Sequence, residues 1–154
     1  MNSPTQESKA FSFDESRLVQ LGRVLDVAPS PCGTWAAVVV ERLNGDGTKY
    51  ACDLWRVPLA ADGAPAQQLT RGDSRDVAPC FRHDGALGFL SNRLTGGREA
   101  DGKDDEPKPQ VWLLPAAGGE PVRLTDEPHG VDRFRFARHA HRLTAIAGVI
   151  PGLA

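Results

Sequence analysis

The stretch Asp53-Leu54-Trp55-Arg56-Val57-Pro58-Leu59 returns further along the chain as Gln110-Val111-Trp112-Leu113-Leu114-Pro115. Each copy occupies the same place in a longer series. Before the first stand the turn Ser30-Pro31-Cys32-Gly33 and the apolar run Trp35 to Val40; after it comes Gln68-Leu69-Thr70. Around the second stand Phe81-Arg82-His83-Asp84-Gly85, the run Leu87 to Leu90, and Arg123-Leu124-Thr125. Matching stations are offset by 52 (Gly33 to Gly85), 57 (Trp55 to Trp112) and 55 (Leu69 to Leu124), a spread that loops between strands absorb. A period near 50 residues marks a propeller or solenoid. A third copy opens at Phe136-Ala137-Arg138-His139-Ala140-His141-Arg142-Leu143.

These stations predict an all-β fold, a partial β-propeller of two four-stranded blades and the start of a third, preceded by a short helix. Residues 1–12 are polar and expected to be disordered, and the helix is expected over 13–25, where Leu18, Leu21 and Leu25 form a stripe behind Asp14-Glu15-Ser16. That stripe reads either as a docking face for another domain or as a lid on the first blade. Blade one is expected at about 26–70, blade two at 76–125 and the start of blade three at 131–154. A second apparent repeat, Asp26-Val27-Ala28-Pro29 against Asp76-Val77-Ala78-Pro79, is offset by 50 and so lies two residues out of register with the turns. A slip of two preserves the inside/outside pattern, and the turn register is preferred. Trp55 and Trp112, recurring at one station, read as wedges between blades. Complete propellers have roughly four to eight blades, so the chain is expected to be a truncated strip whose open sheet edge invites self-association.

The net charge is −2 and no Lys/Arg run is interleaved with aromatics, which argues against nucleic acid. No apolar run approaches the roughly 18 residues needed to span a bilayer, and the N-terminus lacks an apolar signal core. A cytoplasmic protein is expected. Cys32, Cys52 and Cys80 are isolated and read as reduced thiols. No serine stands in a Gly-x-Ser-x-Gly elbow: Ser74 lies in a link between blades and Ser91 at a strand end. His139 and His141 would share one side of a strand but lack a third ligand, and Asp104-Asp105-Glu106, in a long polar loop, lacks the ordered ligand steps of a calcium site. No catalytic, cofactor-binding or metal-ligating residue is therefore assigned, and no cofactor is expected.

The turn Ser-Pro-x-Gly at 30–33, Leu90-Ser91-Asn92-Arg93, Gln110-Val111-Trp112-Leu113-Leu114-Pro115 and Gly118-Gly119-Glu120-Pro121-Val122-Arg123-Leu124-Thr125 together resemble the TolB-like repeats of the prolyl oligopeptidase family of serine peptidases. Its acylaminoacyl-peptidase and dipeptidyl-peptidase branches are the nearest in look. The opening Glu15 to Val24 is also similar to the start of those enzymes, so that the resemblance covers about residues 14–150. It implies an N-terminal propeller that gates access of peptide substrates to a C-terminal α/β-hydrolase domain. The family's nucleophile, acid and histidine lie in that domain, so this chain is expected to be catalytically silent. The competing reading is a TolB-like propeller acting as a protein-interaction module with no hydrolase domain.

Overall fold

The computed structural model describes residues 15–60, 63–94 and 107–148. A helix, α1 (Glu15–Gln20), leads into β1 (Arg23–Pro29), β2 (Trp35–Leu43), β3 (Tyr50–Pro58) and β4 (Gln67–Gln68), which form one antiparallel sheet in that order. Sheet two repeats the arrangement with β5 (Val77–Phe81), β6 (Leu87–Ser91), β7 (Gln110–Leu114) and β8 (Val122–Arg123). Sheet three pairs β9 (Val131–Phe136) with β10 (Leu143–Ala147). The fold is all-β, with antiparallel sheets that do not close on themselves.

The expected helix over 13–25 is cut short. Gly22 is a poor helix residue, and Val24 and Val27 are β-branched and find a ready ladder on β2, so the chain is extended from Arg23 onward. Leu25 thus belongs to β1, at a bulge between Val24 and Asp26. Leu18 and Leu21 stay exposed. They do not form a lid.

The ladders fix the repeat residue by residue. Val38 faces Trp55, which faces Gln68; Phe89 faces Trp112, which faces Arg123. The turn register holds at the first hairpins, where Pro29 pairs with Ala36 and Phe81 with Leu87. Ser30 N–H donates to Trp35 O at 2.9 Å and Ala137 N–H to Arg142 O at 2.9 Å, whereas the second turn closes one residue sooner, Arg82 N–H to Ala86 O at 2.8 Å. Gly33 and Gly85 both have positive φ, as the turn demands. Ala140 does not, and the third turn keeps its closing bond without a left-handed residue at that position. The other apparent repeat is a coincidence of letters: Asp26 is exposed, while Asp76 is buried at 1% exposure. A bulge between Val77 and Cys80 moves the register of β5 partway along the strand.

One core joins sheets one and two. Ala37, Val39, Cys52 and Leu54 of sheet one meet Leu87, Phe89, Trp112 and Leu114 of sheet two, with Trp35 and Phe81 packed edge to face at 4.9 Å. A second core joins sheets two and three through Leu90, Val111, Val131 and Phe134. Gly88 lies under that contact, and a Cβ there would stand 2.5 Å from Phe136 Cε2 and 2.9 Å from Phe134 Cε2.

The two tryptophans therefore differ. Trp112 is 6% exposed and wedged between sheets. Trp55 sits on the equivalent face of sheet one, where no further sheet lies among the described residues, and it is only half-buried. Among the described residues the wedge between sheets is seen for Trp112. Trp112→Ala should cost about 3–5 kcal/mol of unfolding free energy, Trp55→Ala roughly 1 kcal/mol, in line with partial burial. Urea denaturation of both variants measures the difference; equal losses would contradict it. Gly88→Ala should cost about 1–3 kcal/mol through displaced phenyl rings, read in the same experiment.

Candidate functional site

The first strands of the three sheets adjoin, β1 lying against β5 and β5 against β9. Between them runs a groove of about 500 Å3, bounded by Asp26–Pro29, by Ala78–Phe81, and by Asp132, Arg133 and Arg135. Among the described residues each of these strands is ladder-paired on one side only, so backbone polar groups line the groove. Ala78, at φ 53°, is the one non-glycine in the left-handed region among the described residues. It occupies the bulge of β5 in the groove wall, and such strain persists only where the surroundings impose it. Asp26 turns its Oδ1 to its own Val27 N–H at 2.8 Å.

A polar cluster holds the link between sheets one and two. Cys52 N–H donates to Ser74 O and Asp76 N–H to Cys52 O, both at 3.0 Å, tying the link alongside β3 in a short parallel bridge. Asp76 Oδ2 then accepts from Arg93 Nη2 at 2.5 Å, while Arg93 Nε donates to Ser91 Oγ at 3.0 Å and its guanidinium lies over Phe89 and Trp112. Burial pushes the Asp76 carboxyl above its usual range, opposed by the hydroxyls of Ser91 and Thr70 and by Arg93. Arg42 holds the matching place in sheet one, where it donates to Asp53 at 2.6 Å and, through Nη2, to the Gly72 carbonyl of the link at 2.9 Å.

The Leu-Thr stations have a common task. Thr70 Oγ1 accepts from Leu54 N–H at 3.0 Å and Thr125 Oγ1 from Val111 N–H at 2.9 Å, so each hydroxyl serves the residue before the station's tryptophan. Their leucine N–H groups donate to the carbonyls of the same two residues. Where sheet one has Asp53, sheet two has Gln110, whose Oε1 accepts from Thr125 Oγ1 and Glu127 N–H.

Ser91 Oγ is occupied by Arg93, and Ser74 serves the link through its carbonyl. His139 and His141 lie in the loop between β9 and β10, which corrects the expectation that they share a strand face. His141 instead meets His83, ring centroids 4.9 Å apart. The cluster Asp104-Asp105-Glu106 falls outside the described residues. Cys32, exposed in the first turn, accepts from the hydroxyls of Ser30 and Thr34, which lower its thiol to about 7, whereas burial pushes the Cys52 thiol up. The Asp76–Arg93 pair and the role of Thr70 were missed by sequence reasoning; the Leu-Ser-Asn-Arg motif at 90–93 was the available signal for the pair.

Fold and groove together define a class, stacked antiparallel sheets built from one repeated unit around adjoining first strands. Over 111 residues, 71% of its length, the chain is 31% identical to the Bacillus subtilis (strain 168) protein named "Uncharacterized peptidase YuxL". The chain spans 15% of that protein's length. No family model matches the chain. The relationship is peptidase-like.

Two outcomes test the site chemistry. Iodoacetamide should alkylate Cys32 with a midpoint near pH 7 while Cys52 reacts only on unfolding; peptide mapping at increasing pH would contradict this if Cys52 labelled first. Because the folded-state value of Asp76 is raised, the folded state holds that proton more readily than the unfolded chain does. Its contribution to stability is present below the ordinary carboxylate value and is lost as pH rises through the raised one. Asp76→Asn should remove that loss, so the difference in urea midpoint between parent and variant should change across this window and be flat on either side of it.

Proposed function

We propose that this chain supplies the opening blades of a β-propeller of the prolyl oligopeptidase type, gating the approach of peptides to an α/β-hydrolase domain elsewhere in such a protein and contributing no catalytic group of its own. The observation that carries the reading is the adjoining of β1, β5 and β9 around one groove, with the remaining strands of each sheet following in order away from it. That arrangement supports the reading, since in a propeller the blades are set radially around a central passage. The repeated stations support it, as does the similarity to a protein named as a peptidase. Fold alone does not specify activity; here the groove would act by its width and by the backbone groups and charges along its wall, not by bond-breaking.

The surroundings of the two serines favour catalytic silence. A serine peptidase needs a nucleophile within reach of a base; the Ser91 hydroxyl accepts from Arg93, and Ser74 lies in the link that its carbonyl ties to Cys52. The purified chain should neither hydrolyse dipeptidyl or aminoacyl chromogenic substrates nor react with a fluorophosphonate probe. Stoichiometric labelling of one serine would overturn the reading. Sequencing the coding region downstream of Ala154 in all three frames separates the gate from a stand-alone interaction module: further blades followed by a Gly-x-Ser-x-Gly elbow support the gate, and further blades followed by a stop favour the module.

A further inference from the structure

The turn between β5 and β6 and the loop between β9 and β10 touch through two histidines. His83 stands in the turn and His141 in the loop, their rings inclined at 66° with centroids 4.9 Å apart. The contact joins sheets two and three beyond Phe136 and Leu143, which pack on the second core. Both histidines are exposed, so protons reach them freely. The other charged or titratable groups of the two segments are Arg82 and Asp84 on the turn and Arg138, His139 and Arg142 on the loop. The turn after β7 stands against the first of these segments at Gly85 through Ala116, which is uncharged. Asp84 is thus the one carboxylate of the two segments. Arg82 donates to it from Nη2 at 2.6 Å and from Nε at 2.9 Å, and with the Ala86 N–H holds the carboxyl well below the usual carboxylate range. It therefore keeps its charge throughout the range in which histidines titrate.

We propose that His83 and His141 form a proton-operated latch between sheets two and three, closed while at most one of the two rings is charged and released when both are. With both rings neutral, the edge of one lies toward the face of the other, a favourable arrangement of flat rings. A first proton is accommodated, because an imidazolium is attracted to a neutral ring face and Asp84 is near enough to His141 for the two charges to attract. A second proton sets like charges on rings 4.9 Å apart, and neither segment holds another carboxylate to offset it. Two groups coupled in this way lose their protons in two steps that belong to the pair. The latch follows Phe81 at the end of β5 and Phe136 at the end of β9, so its state bears on the spacing of two walls of the groove at that end. It does not rest on the peptidase reading, since the contact is the same whatever the groove admits.

Proton NMR of the histidine rings against pH, on the 154-residue chain, tests it. Cross-relaxation between the rings of His83 and His141 should be present at about pH 8 and lost at about pH 5, on either side of the ordinary histidine value. Both rings should titrate in two coupled steps, while His129, outside both segments, follows a single one. His83→Gln should return His141 to a single step. The position is exposed, so the strands should survive, which circular dichroism checks; His141→Gln, read at His83, makes the reciprocal measurement if that variant loses structure. Asp84→Asn, which removes the one countercharge, should move release to higher pH. A ring contact that persists at about pH 5, independent single-step titration of both histidines in the parent, or a release pH that Asp84→Asn leaves unmoved would overturn the proposal.

Discussion

The contact between sheet one and sheet two is the constraint on which the remaining structure depends. A four-stranded sheet ending in a strand of two residues has little stability by itself, and β4 and β8 are both of that length. Ala37, Val39, Cys52 and Leu54 share their core with Leu87, Phe89, Trp112 and Leu114 of sheet two. Small residues on one side and aromatics on the other let the sheets approach closely, and the same device recurs at Gly88, where the absence of a side chain admits Phe134 and Phe136. Packing of this density makes the spacing of the sheets a property of individual side chains.

Polar groups convert that packing into a defined geometry. The threonines at 70 and 125 satisfy N–H groups that the short fourth strands leave unpaired, and a buried N–H without a partner would be costly. Asp76 and Arg93 then fix where the chain leaves one sheet for the next. A buried ion pair contributes little net stability but is expensive to break from one side. Its value here is directional: with the link held along β3, β5 can start only beside β1, and the groove between first strands follows.

Much of this was legible in the sequence, and the exceptions have physical causes. The stations at Trp55 and Trp112, the leucine-threonine pairs and the turn glycines were readable because each occupies a ladder position that the fold repeats. The Asp-Val-Ala-Pro pair, set aside in favour of the turn register, repeats in letters alone, because the irregularity in β5 separates Asp76 from Asp26. Trp55 is a different case. Its station is the same as that of Trp112, but burial depends on a neighbouring sheet, which no local pattern encodes. The helix was overextended because the leucine spacing continues past Gly22 into a strand, where pairing with β2 outweighs a weak helical preference. The groove was not visible at all, since it is made by strands some 50 residues apart.

Sheets held together by one shared core should open together, whereas sheets that merely touch should open singly. Native-state amide exchange, read residue by residue along β2, β3, β6 and β7, measures this most directly. The expected result is a single opening free energy common to the slowest amides of both sheets, those around Leu54 and Trp112. Clearly separate opening energies for β2–β3 and β6–β7 would contradict it, because the core between them could not then be what holds either sheet in place.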